Sequence, residues 1–126
     1  MITGIAHVNI TVPEGTLGHA EAFYGKTLGL QRVAVPVLQK DSLAWFDITP
    51  KGQQIHVAFG ANELHSSRHI CFRIESPEAL VELQKRIWDH HVIGDASSPT
   101  EADKPGEEDS GMLVALTVFF RKLNLK

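Results

Sequence analysis

Three histidines lie in short segments that favour β-strands. His7 lies in IAHVNITV, His56 in QIHVAFG and His69 in RHICFRI. Because side chains alternate between the two faces of a strand, each histidine points away from the apolar side chains of its own segment. Imidazole is the commonest protein ligand for zinc, nickel, iron and related ions, and a catalytic site needs three such ligands with one position open. The pattern is equally typical of ordinary exposed strand histidines, so the residues alone leave both interpretations open.

The elements that must position these histidines are predicted from periodicity and from turn-forming residues. In the first half, a strand at 7–12 is followed by an amphipathic helix with apolar positions three and four residues apart, which ends at Gly29. Strand-like runs follow at 30–38, 43–49 and 54–60. The order β-α-β-β-β is therefore predicted for the first half of the chain.

The second half starts in the same way. RHICFRI predicts a strand, and Ser76 and Pro77 are typical of the N-cap and first position of a helix that ends at Gly94. A long acidic segment from Asp95 to Gly111 is predicted to be a solvated loop.

HVNITV and HICFRI align histidine with histidine and apolar residue with apolar residue, and a Pro-Glu pair and a helix follow each of them. Self-similarity over such a period indicates a duplicated unit. We therefore predict an α+β fold in one domain, made of two paired β-α-β-β-β modules at residues 1–62 and 66–126.

Several stretches together resemble the vicinal oxygen chelate superfamily, which includes glyoxalase I, extradiol dioxygenases and bleomycin-resistance proteins. The stretches are IAHVNITV, AFYGKTLGL, QIHVAFG and RHICFRIESPEALVELQKRIWDHHV. The resemblance implies an open curved sheet that binds a divalent metal ion, with zinc, nickel, iron and manganese as the candidates. His7 and His69 match ligand positions of the family, and His56 falls where glyoxalase I enzymes carry a glutamate ligand.

The end of the chain departs from the family pattern. Residues 111–126 read GMLVALTVFFRKLNLK, without the D-P-x-G-N turn or the glutamate that completes the family's metal site, and no acidic residue follows Asp109. The second module is therefore predicted to be incomplete at its C-terminus. A missing final strand exposes a sheet edge, which favours a homodimer.

The resemblance implies metal-dependent lyase, isomerase or dioxygenase chemistry on a small oxygenated metabolite. Asn9, Cys71 and Arg73 are the candidate substrate-binding residues, and no residue is assigned as the general base. An alternative is a metal-free binding protein like the bleomycin-resistance branch, with a pocket built from aromatic residues, namely Trp45, Phe46 and Trp88. A further alternative is an inactive member that dimerises.

Composition argues against several other classes of function. The net charge is −3 and basic residues are scattered, so nucleic acid is not an expected partner. Apolar runs fall short of the roughly 18 residues that span a membrane, and the N-terminus does not look like a secretion signal. Cys71 has no cysteine partner in the chain, which is consistent with a reducing, cytoplasmic location.

Overall fold

The computed structural model describes residues 1–61 and 68–105 and the backbone of residues 117–121. The chain divides into two compact units, Met1–Asn62 and Glu63–Lys126.

The first unit is a four-stranded sheet with a helical segment after its first strand and a short 3-10 helix after its second strand in the chain. Its elements in chain order are strand β1 (His7–Val12), helix α1 (Leu17–Ala20), a π-helical segment (Glu21–Thr27), strand β2 (Gln31–Val33), a 3-10 helix (Val37–Gln39), strand β3 (Leu43–Asp47) and strand β4 (Gln54–Phe59). The strand order is β1-β4-β3-β2. Strand β1 runs parallel to β4, and the other two pairs are antiparallel. This is the predicted β-α-β-β-β order.

The helical segment packs on one face of this sheet. Phe23 and Tyr24 from the helix are buried, as are Phe46, Ile55 and Val57 from the strands. Alternation accounts for the division, because every second residue of β3, and of β4 as far as Val57, is buried while its neighbours are half-buried. The opposite face of the sheet carries His7 of β1 and His56 of β4 and is called the polar face below.

The helix after β1 differs from the regular α-helix predicted for it. From Glu21 to Thr27 the turn widens to a π-helix, and the backbone N–H of Leu28 donates to the carbonyl of Phe23, five residues earlier, at 2.9 Å. Gly29 then ends the segment as predicted, with a φ of 77° that favours glycine.

The strand predicted at 30–38 was too long. Strand β2 ends at Val33, and residues 37–39 form a 3-10 helix instead. Pro36 explains the difference, because proline has no backbone N–H for a sheet ladder and here precedes the 3-10 helix with a φ of −52°.

The second unit contains strand β5 (His69–Arg73), helix α2 (Pro77–Ile93) and strand β6 (Thr117–Arg121), and the two strands pair antiparallel. The predicted helix signals are confirmed. The Ser76 hydroxyl accepts a hydrogen bond from the Ala79 backbone N–H at 3.1 Å, and Gly94 ends α2 in the left-handed conformation. None of the described helices is long and apolar enough to cross a membrane.

The predicted α+β fold class with an open sheet is confirmed. In the first unit, β1 and β2 are the two edges of the sheet. The predictions for residues 106–116 and 122–126, including part of the acidic loop, lie outside the described residues.

Candidate functional site

Three rings form a row across the polar face of the first unit. The imidazoles of His7 and His56 are stacked, with centroids 4.0 Å apart and planes within 9° of parallel. The indole of Trp45 stacks on the other side of His56, at 4.4 Å and 11°. The three residues come from β1, β4 and β3, which are neighbours in the sheet, so cross-strand pairing sets the row.

A chain of two hydrogen bonds holds His56. The side-chain N–H of Gln54 donates to Asp47 Oδ1 at 2.8 Å, and Gln54 Oε1 lies 2.8 Å from His56 Nε2. Asp47 and Gln54 are directly opposite each other in the β3–β4 register. Since a carboxylate oxygen only accepts hydrogen bonds, the amide of Gln54 must present its oxygen to His56. His56 Nε2 therefore carries the hydrogen and donates.

The charge state of His56 follows from its surroundings. Partial burial, and secondarily the nearby His7, lower the pKa of the His56 imidazole below its ordinary value of 6.5. His56 is therefore neutral at pH 7. With Nε2 protonated, the unprotonated nitrogen of the ring is Nδ1.

The ring geometry determines whether a metal ion fits this row. An imidazole binds a metal along a lone pair that lies in the ring plane. Two rings that are stacked and nearly parallel point their lone pairs along separate planes, so His7 and His56 in these positions do not both fit one ion. His7 is exposed on β1, so a metal ion could reach its ring from solvent. Among the described residues no group of three His, Cys, Asp or Glu side chains is placed to hold a metal.

The remaining predicted site residues lie on two strands. Asn9 is exposed on the polar face, opposite His56 in the β1–β4 register. His69, Cys71 and Arg73 alternate along β5 and are exposed on one face of that strand, with Ile70 and Phe72 half-buried on the other. The structure thus groups Asn9 with His7 and His56, and groups the other three within the second unit.

One solved structure is similar over most of the chain. It is the crystal structure of a protein from Bacillus anthracis whose assignment to the glyoxalase family is provisional. The two share 26% sequence identity with a TM-score of 0.55, over 71% of this chain and 70% of that one. The chain has a glyoxalase-like fold. No family model matches the sequence, and a search of curated proteins found no match.

Two of the three aromatic residues proposed for a metal-free pocket lie on opposite faces of β3. Trp45 is half-buried on the polar face, whereas Phe46 is fully buried on the opposite face of β3, with its ring centroid 5.8 Å from that of Tyr24. Phe46 is therefore a core residue. Trp88 lies on α2 beside the ring of His91, at 5.5 Å.

A second polar cluster follows the end of α2, and the sequence patterns did not indicate it. Asp95 Oδ1 accepts from the backbone N–H and the hydroxyl of Ser97, both at 2.7 Å, and these bonds lower the pKa of Asp95 to about 2. The buried His90 lies 2.9 Å from the Ser97 hydroxyl and 3.6 Å from Asp95, through the same nitrogen, Nε2.

This cluster contains serine, histidine and aspartate but lacks the geometry of a nucleophilic triad. In a triad the histidine contacts serine and aspartate through opposite ring nitrogens, so that it can accept the serine proton. Here the Ser97 hydroxyl donates to Asp95 and is buried. The cluster instead fixes the chain as it leaves α2, together with the Ser98 hydroxyl, which donates to the His90 carbonyl at 2.6 Å.

Proposed function

We propose that this glyoxalase-like protein binds a small oxygenated metabolite on the polar face of the first unit, and acts on it through metal-dependent lyase, isomerase or dioxygenase chemistry. The observation that carries the proposal is the row of His7, His56 and Trp45 beside the exposed amide of Asn9. The opposite face of the same strands packs in the core, so core packing fixes the backbone that carries these side chains.

Each residue of the polar face has a distinct role in this proposal. The flat row of rings contacts the planar part of the ligand, since aromatic surfaces favour parallel, offset contact. Asn9 can donate to or accept from an oxygen of the ligand. His7 is the candidate metal ligand in this unit. A divalent ion, when bound, would polarise a ligand oxygen as a Lewis acid.

Metal analysis of the purified protein tests the metal-dependent part. After incubation with zinc, nickel, iron or manganese and removal of the excess, we expect bound metal in the wild type and its loss in His7→Ala. His69→Ala tests the second ligand position that the family resemblance implies. His19→Ala, on α1, is the matched histidine control. No bound metal at neutral pH under saturating supply would overturn this part of the proposal.

Metal-free binding is a second candidate, and two observations favour it. The stacked rings of His7 and His56 do not fit one ion together, and the described residues hold no group of three candidate ligands. A ligand-dependent rise in melting temperature in the presence of a chelator would support this candidate. Trp45→Ala should abolish the rise, whereas Trp88→Ala is the control with the other tryptophan. A rise that appears only with metal would rule it out.

A further inference from the structure

The hydrogen bonds around Gln54 have a single direction. Asp47 can only accept, so it fixes which end of the Gln54 amide faces each neighbour. The amide oxygen is thereby placed 2.8 Å from His56 Nε2, a distance at which two unprotonated acceptors would repel. The proton of the neutral His56 imidazole is therefore held on Nε2. A carboxylate at one end of the chain thus determines the tautomer at the other end.

The second nitrogen of His56 has no such partner. None of the described residues forms a hydrogen bond with Nδ1, and this nitrogen is accessible to solvent. The ring that carries it is confined between His7 and Trp45, so its orientation is restricted. A neutral imidazole with Nε2 protonated offers one lone pair, at Nδ1, and this lone pair accepts a hydrogen bond. Asn9 is on the same face, opposite His56.

We propose that Asp47 and Gln54 are positioning residues that hold His56 as the Nε2–H tautomer, so that Nδ1 accepts a hydrogen bond from an O–H or N–H group of the ligand. The ligand class is a small planar molecule with at least one such donor, because the same face offers stacked rings beside the acceptor. This inference rests on the proposed function only in taking the polar face as the ligand surface.

Nitrogen NMR of the imidazole side chains tests the tautomer directly, on the full chain without added metal. At a pH where His56 is neutral, we expect its Nε2 resonance in the range of a protonated nitrogen and its Nδ1 resonance in the range of an unprotonated one. A mixture of the two tautomers in the wild type, or the Nδ1–H form, would overturn the proposal.

Reversing the direction of the hydrogen-bond chain makes the test specific. In Asp47→Lys the new side chain can only donate, so it cannot accept the hydrogen bond from the Gln54 amide N–H. It should donate to the amide oxygen instead, which turns the amide. The amide N–H then faces His56, whose proton should move to Nδ1, and the order of the two nitrogen resonances should reverse. Asp41→Lys makes the same charge change outside the row and should leave the tautomer unchanged. An unchanged tautomer in a folded Asp47→Lys would contradict the proposed role of Asp47.

A second variant covers the case in which the lysine prevents folding. Gln54→Leu removes the side-chain hydrogen bonds to Asp47 and His56. The control substitution Gln53→Leu, at the preceding residue, keeps both of them. We expect a mixture of tautomers in Gln54→Leu and the wild-type spectrum in Gln53→Leu. A single Nε2–H tautomer in both would show that Gln54 does not set the tautomer.

Phenol and anisole test the ligand class, because they share a planar ring and differ in the hydroxyl donor. Phenol should shift the His56 Nδ1 resonance and anisole should not. In Asp47→Lys, where Nδ1 carries the proton and can only donate, the difference between phenol and anisole should disappear, because the oxygen atoms of both can accept. Equal effects of phenol and anisole would refute the acceptor role.

The result of the tautomer experiments does not depend on the result of the metal analysis. Zinc chloride added alone should leave the His56 Nδ1 resonance unchanged, and a large zinc-dependent shift would make His56 a metal ligand and overturn the assignment. The tautomer can be as proposed whether or not His7 binds metal, so failure of either proposal is recognised on its own.

Discussion

Alanine substitutions at two adjacent residues of β3 should affect different properties, namely stability in one case and ligand binding in the other. Trp45 is half-buried on the polar face, and Phe46 is fully buried in the core on the other face. We expect Phe46→Ala to reduce the free energy of unfolding strongly. Trp45→Ala should instead remove ligand binding while costing little stability.

The magnitudes follow from burial. Removing a fully buried phenylalanine costs about 3–5 kcal/mol, because the transfer free energy is lost and a cavity is left. Trp45→Ala removes mainly the stacking of the indole on His56, a contact that contributes about 1 kcal/mol to stability. With a urea dependence of about 2 kcal/mol per molar, the unfolding midpoint should fall by about 2 M in Phe46→Ala and by about 0.5 M in Trp45→Ala.

Urea unfolding followed by far-UV circular dichroism measures both changes, since this signal does not depend on the tryptophan that is removed. Phenol binding is then measured without urea, on samples that are folded by the same criterion. Equal midpoints for the two variants would refute the division of β3 into a core face and a polar face. Unchanged phenol binding in Trp45→Ala would refute the role of the ring row.

Three further predictions concern pH and assembly. The hydrogen bonds to Asp95 hold its pKa at about 2, below the ordinary 3.8, so they stabilise the fold above pH 4, and this contribution should be lost as the pH falls from about 4 to 2. In Asp95→Asn the melting temperature should depend less on pH in this range. The same pH dependence in the wild type and the variant would contradict the stabilising role of Asp95. Burial raises the pKa of Tyr24 above its ordinary 10.0, so the folded state keeps a neutral phenol and stability should fall as the pH rises above 10. Tyr24→Phe should remove this alkaline loss, and the same loss in both proteins would assign it to another group. The homodimer expected from the C-terminal sequence should appear in sedimentation velocity as a concentration-dependent species, and a monomer at every concentration would refute it.

Sequence patterns predicted the fold where a single physical signal dominates. Alternation in 7–12 and 54–59 identified the core face and the face of His7 and His56, because the alternation of side chains is a property of the strand itself. Ser76 and Gly94 marked the ends of α2 because caps are local. The length of β2 and the π-helical turn were not predicted, since both depend on how hydrogen bonds are shared with neighbouring elements.

The site could be predicted only in part for the same reason. Two of the three candidate histidines do meet, but as stacked rings rather than as ligands around one point. Asp47 and Gln54 are seven positions apart, and their contact depends on the β3–β4 register, which the intervening turn sets and alternation does not reveal. Metal binding by His7, His69 and His56 stays a prediction of the family resemblance, and for His56 the zinc experiment decides between that role and the acceptor role of Nδ1.

The parallel pairing of β1 with β4 has a consequence for how the protein folds. Strands β3 and β4 are joined by a short turn, whereas His7 pairs with Gln54 across nearly the whole first unit. Closing a loop of this length costs about 3 kcal/mol in chain entropy, which pairing recovers only after the ends have met. The antiparallel strands should therefore form early, and β1 should dock late. Since His7 arrives with β1, the row of rings is completed by the last strand to dock, and ligand binding would report that folding of the unit is finished.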